Sequence, residues 1–344
     1  MLDRLFRRFV PAFLAAAAVL QADQADDVVK AELQRQRIPG LALAVVKDGK
    51  IIKATGYGFA NRKLGIPVGA DTVFKIASVS KQFIATGIML LVQEGTIALD
   101  NPISRYLDDT PPAWQSITIR HVLTHTSGLI REAPGFDPMK VESDAAVIRS
   151  SYSLPLRFTP GQQWEYGNVG YYVLAEVIHK TSGMAWTEYL TEKIFNPAGM
   201  STTHPTDTRA DVPNRAQGYV DNDRLLEADD WLALRPSGAF LSTVLDLAKW
   251  DAALYSDSIL TEGSRRQMWT PVQLSNGTSY PYGFGWELGS IRGHRLVHHS
   301  GGIPGFRSEF ARFPDDHLSI IFLANLDDSD PSAILGKLAA IYLP

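Results

Sequence analysis

Residues 74–81 read Phe74-Lys75-Ile76-Ala77-Ser78-Val79-Ser80-Lys81, and the sequence changes character across them. Upstream, Leu41-Ala42-Leu43-Ala44-Val45-Val46 and the run from Ile51 to Phe59 are apolar and strand-like. Between them stands Lys47-Asp48-Gly49-Lys50, whose Asp-Gly is a strong hairpin signal. Downstream, Phe83, Ile84, Gly87, Ile88, Leu90 and Leu91 share one broad face from Ser80 to Gln93, and Gly95 follows as a stop. The spacing predicts a helix there. Ser78 and Lys81 fall three apart at its start, on one face and within reach of each other.

Working outward, Asp26 to Gln36 has helical spacing and ends near Pro39-Gly40. Helical pieces separated by Pro/Gly loops fill the middle of the chain. They include Val169 to Thr181, ended by Gly183, and Val244 to Tyr255 behind the cap candidates Ser242 and Thr243. Beyond about residue 280, Gly283 to Leu288, His294 to His299, Phe306 to Phe313 and Leu318 to Asn325 are strand-like, and Ser332 to Tyr342 reads as a closing helix. Strands at both ends thus enclose a mainly helical middle. The expected fold is α/β of the α+β type: one antiparallel sheet built from both ends, flanked by N- and C-terminal helices, with a helical domain inserted. The expected boundaries are a sheet subdomain at 23–74 and 272–344 and a helical subdomain at 75–271, with a cleft where they meet.

Composition narrows the function. Of 344 residues 45% are apolar and 20% charged, which excludes a disordered or collagen-like chain. The net charge of -4, without a basic run, lacks the footprint of a nucleic-acid binder. The absence of cysteine excludes disulfides, Cys-based zinc sites, iron–sulfur clusters and a thiol nucleophile. At the N-terminus, Arg4, Arg7 and Arg8 precede the apolar run from Phe9 to Leu20, which ends in small residues and Ala22. That pattern reads as a signal peptide over residues 1–22, with a retained anchor or an amphipathic helix as the alternative. The run is too short for a bilayer, which needs about 20 residues, and the rest of the chain has no apolar stretch long enough to span one. The expectation is an exported, soluble protein, periplasmic or secreted.

The chemistry is carried by three short elements. A serine hydroxyl becomes a nucleophile when a base takes its proton, and a lysine is that base when burial or nearby positive charge lowers its pKa. A helix start adds free N–H groups for a developing oxyanion. On its own, S-x-x-K also describes a capping serine beside a surface lysine. The second element is Tyr166-Gly167-Asn168, on a Gly-rich turn just before a helix, where both side chains can point into a cleft. Taken by itself, the element reads rather as a plain turn with a packed tyrosine. The third is His298-His299-Ser300-Gly301-Gly302, where small residues let a substrate backbone lie along a strand edge. A strand end turning through glycines beside one buried histidine is its structural counterpart.

Together and in this order, the three elements resemble the serine β-lactamase and penicillin-binding-protein superfamily. The likeness is nearest to class C β-lactamases, D-Ala-D-Ala carboxypeptidases and family VIII esterases, which use a Tyr-x-Asn middle motif. The flanking stretches Ile119 to Leu129 and Ser237 to Thr243, followed by Asp246-Leu247-Ala248, are also similar to family segments, and the resemblance spans residues 26–342. It implies that Ser78 is the acylated nucleophile, Lys81 its proton acceptor and Tyr166 the proton shuttle to the leaving group and from water. Asn168 would hold a substrate amide or Lys81, while His299, Ser300, Gly301 and Gly302 would line the substrate strand. The N–H groups of Ser78 and Gly302 would form the oxyanion hole, at about 3–4 kcal/mol per donor. Such acyl transfer requires neither metal nor nucleotide cofactor, and the implied partner is a small-molecule or peptide substrate.

His299 stands where typical class C β-lactamases have lysine, and histidine is mostly neutral above pH ~6.5. This favours a general serine hydrolase, acting on an ester or D-amino-acid peptide, over an efficient β-lactamase. Arg307 reads as an ordinary surface arginine, with a substrate-carboxylate contact as the alternative. A catalytically silent binder of cell-wall peptides is the competing class, and the joint presence of Ser78, Lys81, Tyr166 and Asn168 argues against it. No G-x-S-x-G occurs, which disfavours an α/β-hydrolase. His121 and His125 have ligand-like spacing without H-E-x-x-H, which fits structural histidines better than a metal site.

Overall fold

A computed structural model describes residues 24–206, 211–233, 235–238 and 240–344. The signal-peptide reading of residues 1–22 lies outside the described residues. Residues 24–36 form the first helix, α1. The sheet strands are β1 (Gly40–Lys47), β2 (Lys50–Asn61), β3 (Ile66–Pro67), β4 (Glu287–Ile291), β5 (His294–Ile303), β6 (Phe306–Phe313) and β7 (Leu318–Ala324). The longer helices that follow α1 are α2 (Lys81–Gln93), α3 (Val169–Ser182), α4 (Val244–Ala253) and α5 (Pro331–Tyr342).

The seven strands form one antiparallel sheet in the order β4-β5-β6-β7-β1-β2-β3. Its centre joins the two ends of the chain, because β1 pairs with β7 in the register Leu41↔Ala324 to Lys47↔Leu318. The β1–β2 hairpin turns on Asp48 and Gly49, at φ 51° and 71°. Two successive positive φ values give the turn whose twist matches the strands, which is why Asp-Gly marks it in sequence.

The apolar run of β1 is buried on both faces, so it reads as continuous rather than alternating. Leu41, Leu43 and Val45 pack with Ala25 and Val29 of α1 and with Ile334, Leu335 and Leu338 of α5. The small residues Ala42 and Ala44, with Val46, face the core shared with α2, α3 and α4. The sheet is therefore sandwiched between terminal helices on one side and the helical middle on the other. The central residues reach it through a short ladder: Phe74–Lys75 pairs with Phe240–Ser242, which also pairs with His204–Pro205.

Two strand limits differ from the sequence expectation. Gly283 to Trp286 is not strand: the Phe284 N–H donates to the Met268 carbonyl, and a Cβ on Gly283 would lie 1.9 Å from that same oxygen. This stretch packs against the preceding helix, Glu262–Met268, and pairing starts at Glu287. Conversely, β5 does not stop at His299 but runs through Gly301 and Gly302 to Ile303. The chain turns afterwards, at Gly305, with φ 82°.

Helix α4 is tied to the sheet by a buried ion pair. Arg312 Nε of β6 and Ser319 Oγ of β7 each donate to Asp251 Oδ1, both at 2.6 Å. The Arg312 guanidinium also lies 4.6 Å above the Tyr255 ring and 5.0 Å above that of Trp269. Asp251→Ala leaves this cation buried without its counter-charge, and we expect a loss of about 3–5 kcal/mol in denaturant unfolding. A change below about 1 kcal/mol would show that the pair does not hold α4 to the sheet.

Candidate active site

The nucleophile turn is built by the crossing of three segments. The Ile76 N–H donates to the Phe240 carbonyl at 2.9 Å, ending the short ladder, and Ala77–Ser80 then forms a single 3-10 turn before α2. Ala77 is left-handed at φ 46°, a conformation costly for a residue with a Cβ. It is held there from behind: Ser308 Oγ donates to the Ile76 carbonyl at 2.7 Å, and the backbone of Gly301 presses on the same atoms. A Cβ at Gly301 would fall 2.5 Å from the Ile76 oxygen and 3.1 Å from Ala77 Cβ. Glycine here lets β5 touch the turn that presents Ser78.

Lys81 begins α2 and is fully buried. Its Nζ donates to Asn168 Oδ1 at 2.8 Å and to the Ser237 carbonyl at 2.7 Å, and lies 3.4 Å from Ser78 Oγ. It also sits over the rings of Tyr166 and Tyr171, at 4.7 and 5.2 Å from their centroids. Burial holds the amine well below its ordinary range, with Arg131 adding to the shift and Glu132 and Glu287 only partly opposing it. A neutral amine has two hydrogens and one lone pair. With both hydrogens engaged by Asn168 and Ser237, the lone pair faces Ser78.

Tyr166 is shifted the other way. Burial raises its phenol well above the ordinary tyrosine range, opposed by the nearby Ser78 hydroxyl. The hydroxyl lies on the Ser78 side yet has no hydrogen bond of ordinary geometry in the resting site. Contacts of this kind tighten when substrate arrives. The turn carrying it is pinned by the Asn168 N–H, which donates to the Arg131 carbonyl at 2.8 Å, and by the Glu165 N–H, which donates to the His125 carbonyl at 3.0 Å.

Behind Tyr166 runs a chain of polar rings. His125 Nδ1 accepts the Gly167 N–H at 3.3 Å, so its proton sits on Nε2, 3.2 Å from the Tyr282 hydroxyl. The Tyr282 hydroxyl lies 3.0 Å from His299 Nε2, and His299 Nδ1 lies 2.6 Å from the Ser300 carbonyl, to which it donates. One tautomer of each imidazole satisfies every link: Gly167 to His125 to Tyr282 to His299 to Ser300. Burial holds both histidines neutral, His125 well below its ordinary value and His299 down to about 3. His299 therefore brings no fixed positive charge to the site.

Ser78, Tyr166, Asn168 and Gly302 line one cavity of about 410 Å³, with Arg131, Glu132, Trp231 and Arg307. Lys81 lies beneath its floor. His299 is buried alongside, its ring turned to Tyr282, while Ser300 Oγ donates to Glu287 at 3.3 Å and Gly301 packs on the nucleophile turn. Of the third motif, Gly302 is thus the member on the cavity wall. Arg307, read as a surface residue in the sequence, also lines that wall, with its guanidinium next to Gly302. The two histidines with ligand-like spacing separate: His121 closes a capping box with Thr118, and His125 turns into the ring chain. Tyr282 and Glu132 carried no local signal, since each arrives from an irregular loop, and Ser237, in a four-residue helix, was marked only by the family-like stretch that it begins.

Tyr282→Phe removes the one hydroxyl that joins the two imidazoles. It strands a buried donor on His125 and a buried acceptor on His299, and stability should fall by about 1–3 kcal/mol in denaturant unfolding. Unchanged stability would mean the rings do not form a bonded chain.

Comparison with known proteins shows the family of the chain. A family profile described as Beta-lactamase matches residues 25–342. A penicillin-binding protein of Bacillus subtilis (strain 168) is 32% identical over 317 residues, covering 86% of this chain and 70% of that protein. A D-aminopeptidase of Brucella anthropi is 30% identical over 321 residues, covering 90% of this chain and 60% of the longer relative. Among solved structures, D-amino acid amidase from Ochrobactrum anthropi SV3, complexed with L-phenylalanine amide, superposes with a TM-score of 0.82 at 25% identity, covering 93% of this chain and 98% of that one. The penicillin-binding protein homologue from Pyrococcus abyssi superposes with a TM-score of 0.81 at 26% identity, covering 93% and 76%. The fold is β-lactamase/transpeptidase-like, and the chain belongs to the β-lactamase family of serine hydrolases and penicillin-binding proteins.

Proposed function

We propose that the chain is an exported serine hydrolase that works through an acyl-enzyme on Ser78, on an ester, a D-amino-acid amide or peptide, or a β-lactam. The observation that carries this is the opposite displacement of two neighbouring groups: Lys81 is driven toward the free amine and Tyr166 toward the intact phenol. Titratable pairs pushed apart in this way are an assigned base and acid.

In acylation, Ser78 Oγ attacks the substrate carbonyl carbon as its proton passes to the Lys81 lone pair. The carbonyl oxygen becomes an oxyanion, received by the N–H groups of Ser78 and Gly302. Collapse breaks the bond to the leaving group, which takes a proton from the Tyr166 hydroxyl, and Tyr166 recovers one from the Lys81 ammonium. The resting site is regained with an ester on Ser78. Water then repeats the sequence, giving its proton to the same pair as it attacks the ester. Asn168 keeps Lys81 aimed at Ser78 throughout. The uncharged His299 favours general ester and amide hydrolysis over tight capture of a β-lactam carboxylate.

Mass spectrometry of the intact protein after mixing with an activated ester or a penicillin tests the reading. We expect an adduct on the peptide containing Ser78, absent in Ser78→Ala, together with a loss of turnover of at least about a thousandfold. Full turnover by Ser78→Ala would overturn it. The pH dependence follows from the two shifts. The base form of Lys81 is required, so kcat/KM rises with pH through an amine pKa well below the ordinary 10.5. Because the phenol pKa lies above the ordinary 10.0, activity holds at pH 10, where an unshifted tyrosine would be half ionised. An acid limb centred near pH 10 would contradict the assignment of Lys81 as the resting base.

A further inference from the structure

Three residues before Ser78 lies a buried cation that the acyl-transfer steps do not use. Lys75 is 1% exposed and belongs to the short ladder that pairs Phe74–Lys75 with Phe240–Ser242. Its side chain reaches out of that ladder to residues 229–233, which have no regular secondary structure. Lys75 Nζ lies 2.5 Å from Asp230 Oδ1 and donates to the Trp231 carbonyl. Burial lowers the pKa of this amine, but unlike Lys81 it has a carboxylate in contact, which opposes the shift. Arg215 holds the same carboxylate with two bonds, Nη2 to Oδ1 at 2.5 Å and Nη1 to Oδ2 at 3.1 Å. Arg215 is itself fixed, since the neighbouring Ala216 N–H donates to the Val73 carbonyl at 2.9 Å.

Trp231 is the residue that this contact delivers to the cavity. It lines the wall around Ser78, and its ring meets that of Phe136 with 5.8 Å between centroids. The two aromatic residues come from different irregular segments. Those segments are joined by the Leu232 and Ala233 N–H groups, which donate to the Pro138 carbonyl at 2.8 and 3.1 Å. Where Arg131, Glu132 and Arg307 make the wall charged, Phe136 and Trp231 give it a broad apolar surface. Irregular segments open at low cost unless something holds them. An ammonium bonded to a carboxylate and a main-chain carbonyl is such a hold, because charge-assisted bonds are the strong ones. Loss of Lys75 would leave Asp230 paired with Arg215, so no carboxylate is stranded, but the Trp231 carbonyl would lose its bond to the ammonium.

We infer that Lys75 is a positioning residue that fixes Trp231 in the wall beside Ser78, and that the wall so held gives the cleft a preference for substrates carrying a large apolar group over small ones. This rests on the acyl-enzyme reading above and adds the substrate feature that the wall reads. A merely structural lysine would, when replaced, lower the active fraction and so reduce kcat for all substrates together. A lysine that acts through Trp231 changes the ratio between large and small substrates, and does so through KM.

The experiment measures kcat/KM for the p-nitrophenyl esters of 4-phenylbutyric and acetic acid, each divided by its spontaneous hydrolysis rate. The proteins are the wild type, Lys75→Met, Trp231→Ala and the double variant. In the wild type the phenylbutyrate should lead by at least about tenfold, as burial of one phenyl ring allows. In Lys75→Met that lead should fall by about fivefold or more, chiefly through KM of the larger ester. The double variant should lose no more of it than Trp231→Ala alone, because the two residues act as one unit. A wild-type ratio near one, or one that favours the acetate, overturns the inference, and this result stands even if a variant does not fold. A ratio unchanged in a folded Lys75→Met overturns it, as do losses that multiply in the double variant. Labelling of Ser78 by a fluorophosphonate, run alongside, separates the two levels. Labelled, active protein without the size preference sinks only the role of Lys75 and Trp231. Protein that neither labels nor turns over either ester sinks the acyl-enzyme reading and that role with it.

Discussion

Lys81 has been taken out of water without a counter-ion in contact. Its nearest acids, Glu132 and Glu287, act on it only through space, and its direct partners are an amide oxygen, a main-chain carbonyl and a serine. An ammonium in that setting loses far more hydration than two neutral acceptors return, so burial drives the side chain toward the free amine. The remaining geometry follows. Once neutral, the amine orients by its two hydrogens, and Asn168 and Ser237 receive them in positions that leave the lone pair toward Ser78. The same dry surroundings keep the Tyr166 phenol intact and the two histidines uncharged. One desolvated volume therefore pushes Lys81, Tyr166, His125 and His299 toward their neutral forms.

The fold supplies that volume by joining elements distant in sequence. The central β1–β7 pairing closes the two ends of the chain into one sheet, and β5 carries Gly301 against the turn of Ala77 and Ser78. Helix α3 brings Asn168 at its start, the Arg131–Glu132 loop is bonded to it, and Phe240 locks the end of the short ladder. The left-handed Ala77 is the local cost of aiming Ser78 into the cavity, and it is held by contacts from two sides.

Legibility in the sequence followed the range of the interactions. Asp48-Gly49 announced its hairpin because a two-residue turn with positive φ restricts residue choice locally. Ser78 and Lys81 were readable because one helical turn is enough to place them together, and Tyr166 and Asn168 because a Gly turn before a helix does the same. The strand through Ser300, Gly301 and Gly302 was misjudged as a strand end, since glycines read as a turn when the partner that requires them, the Ile76–Ala77 backbone, is more than two hundred residues away. Glu132 and Arg307 reach the cavity, and Tyr282 the ring chain behind it, through tertiary packing alone, and no period or spacing marks such residues.

The central claim is that Lys81 is an amine, not an ammonium, in the resting protein. It is tested most directly by NMR of protein carrying carbon-13-labelled lysine, with the Lys81 Cε resonance assigned by its loss in Lys81→Met and followed against pH. The account predicts a titration midpoint well below the 10.5 of an ordinary lysine. A Cε shift that keeps its ammonium value up to pH 10 would contradict it, and the lone pair assigned to Ser78 would not exist.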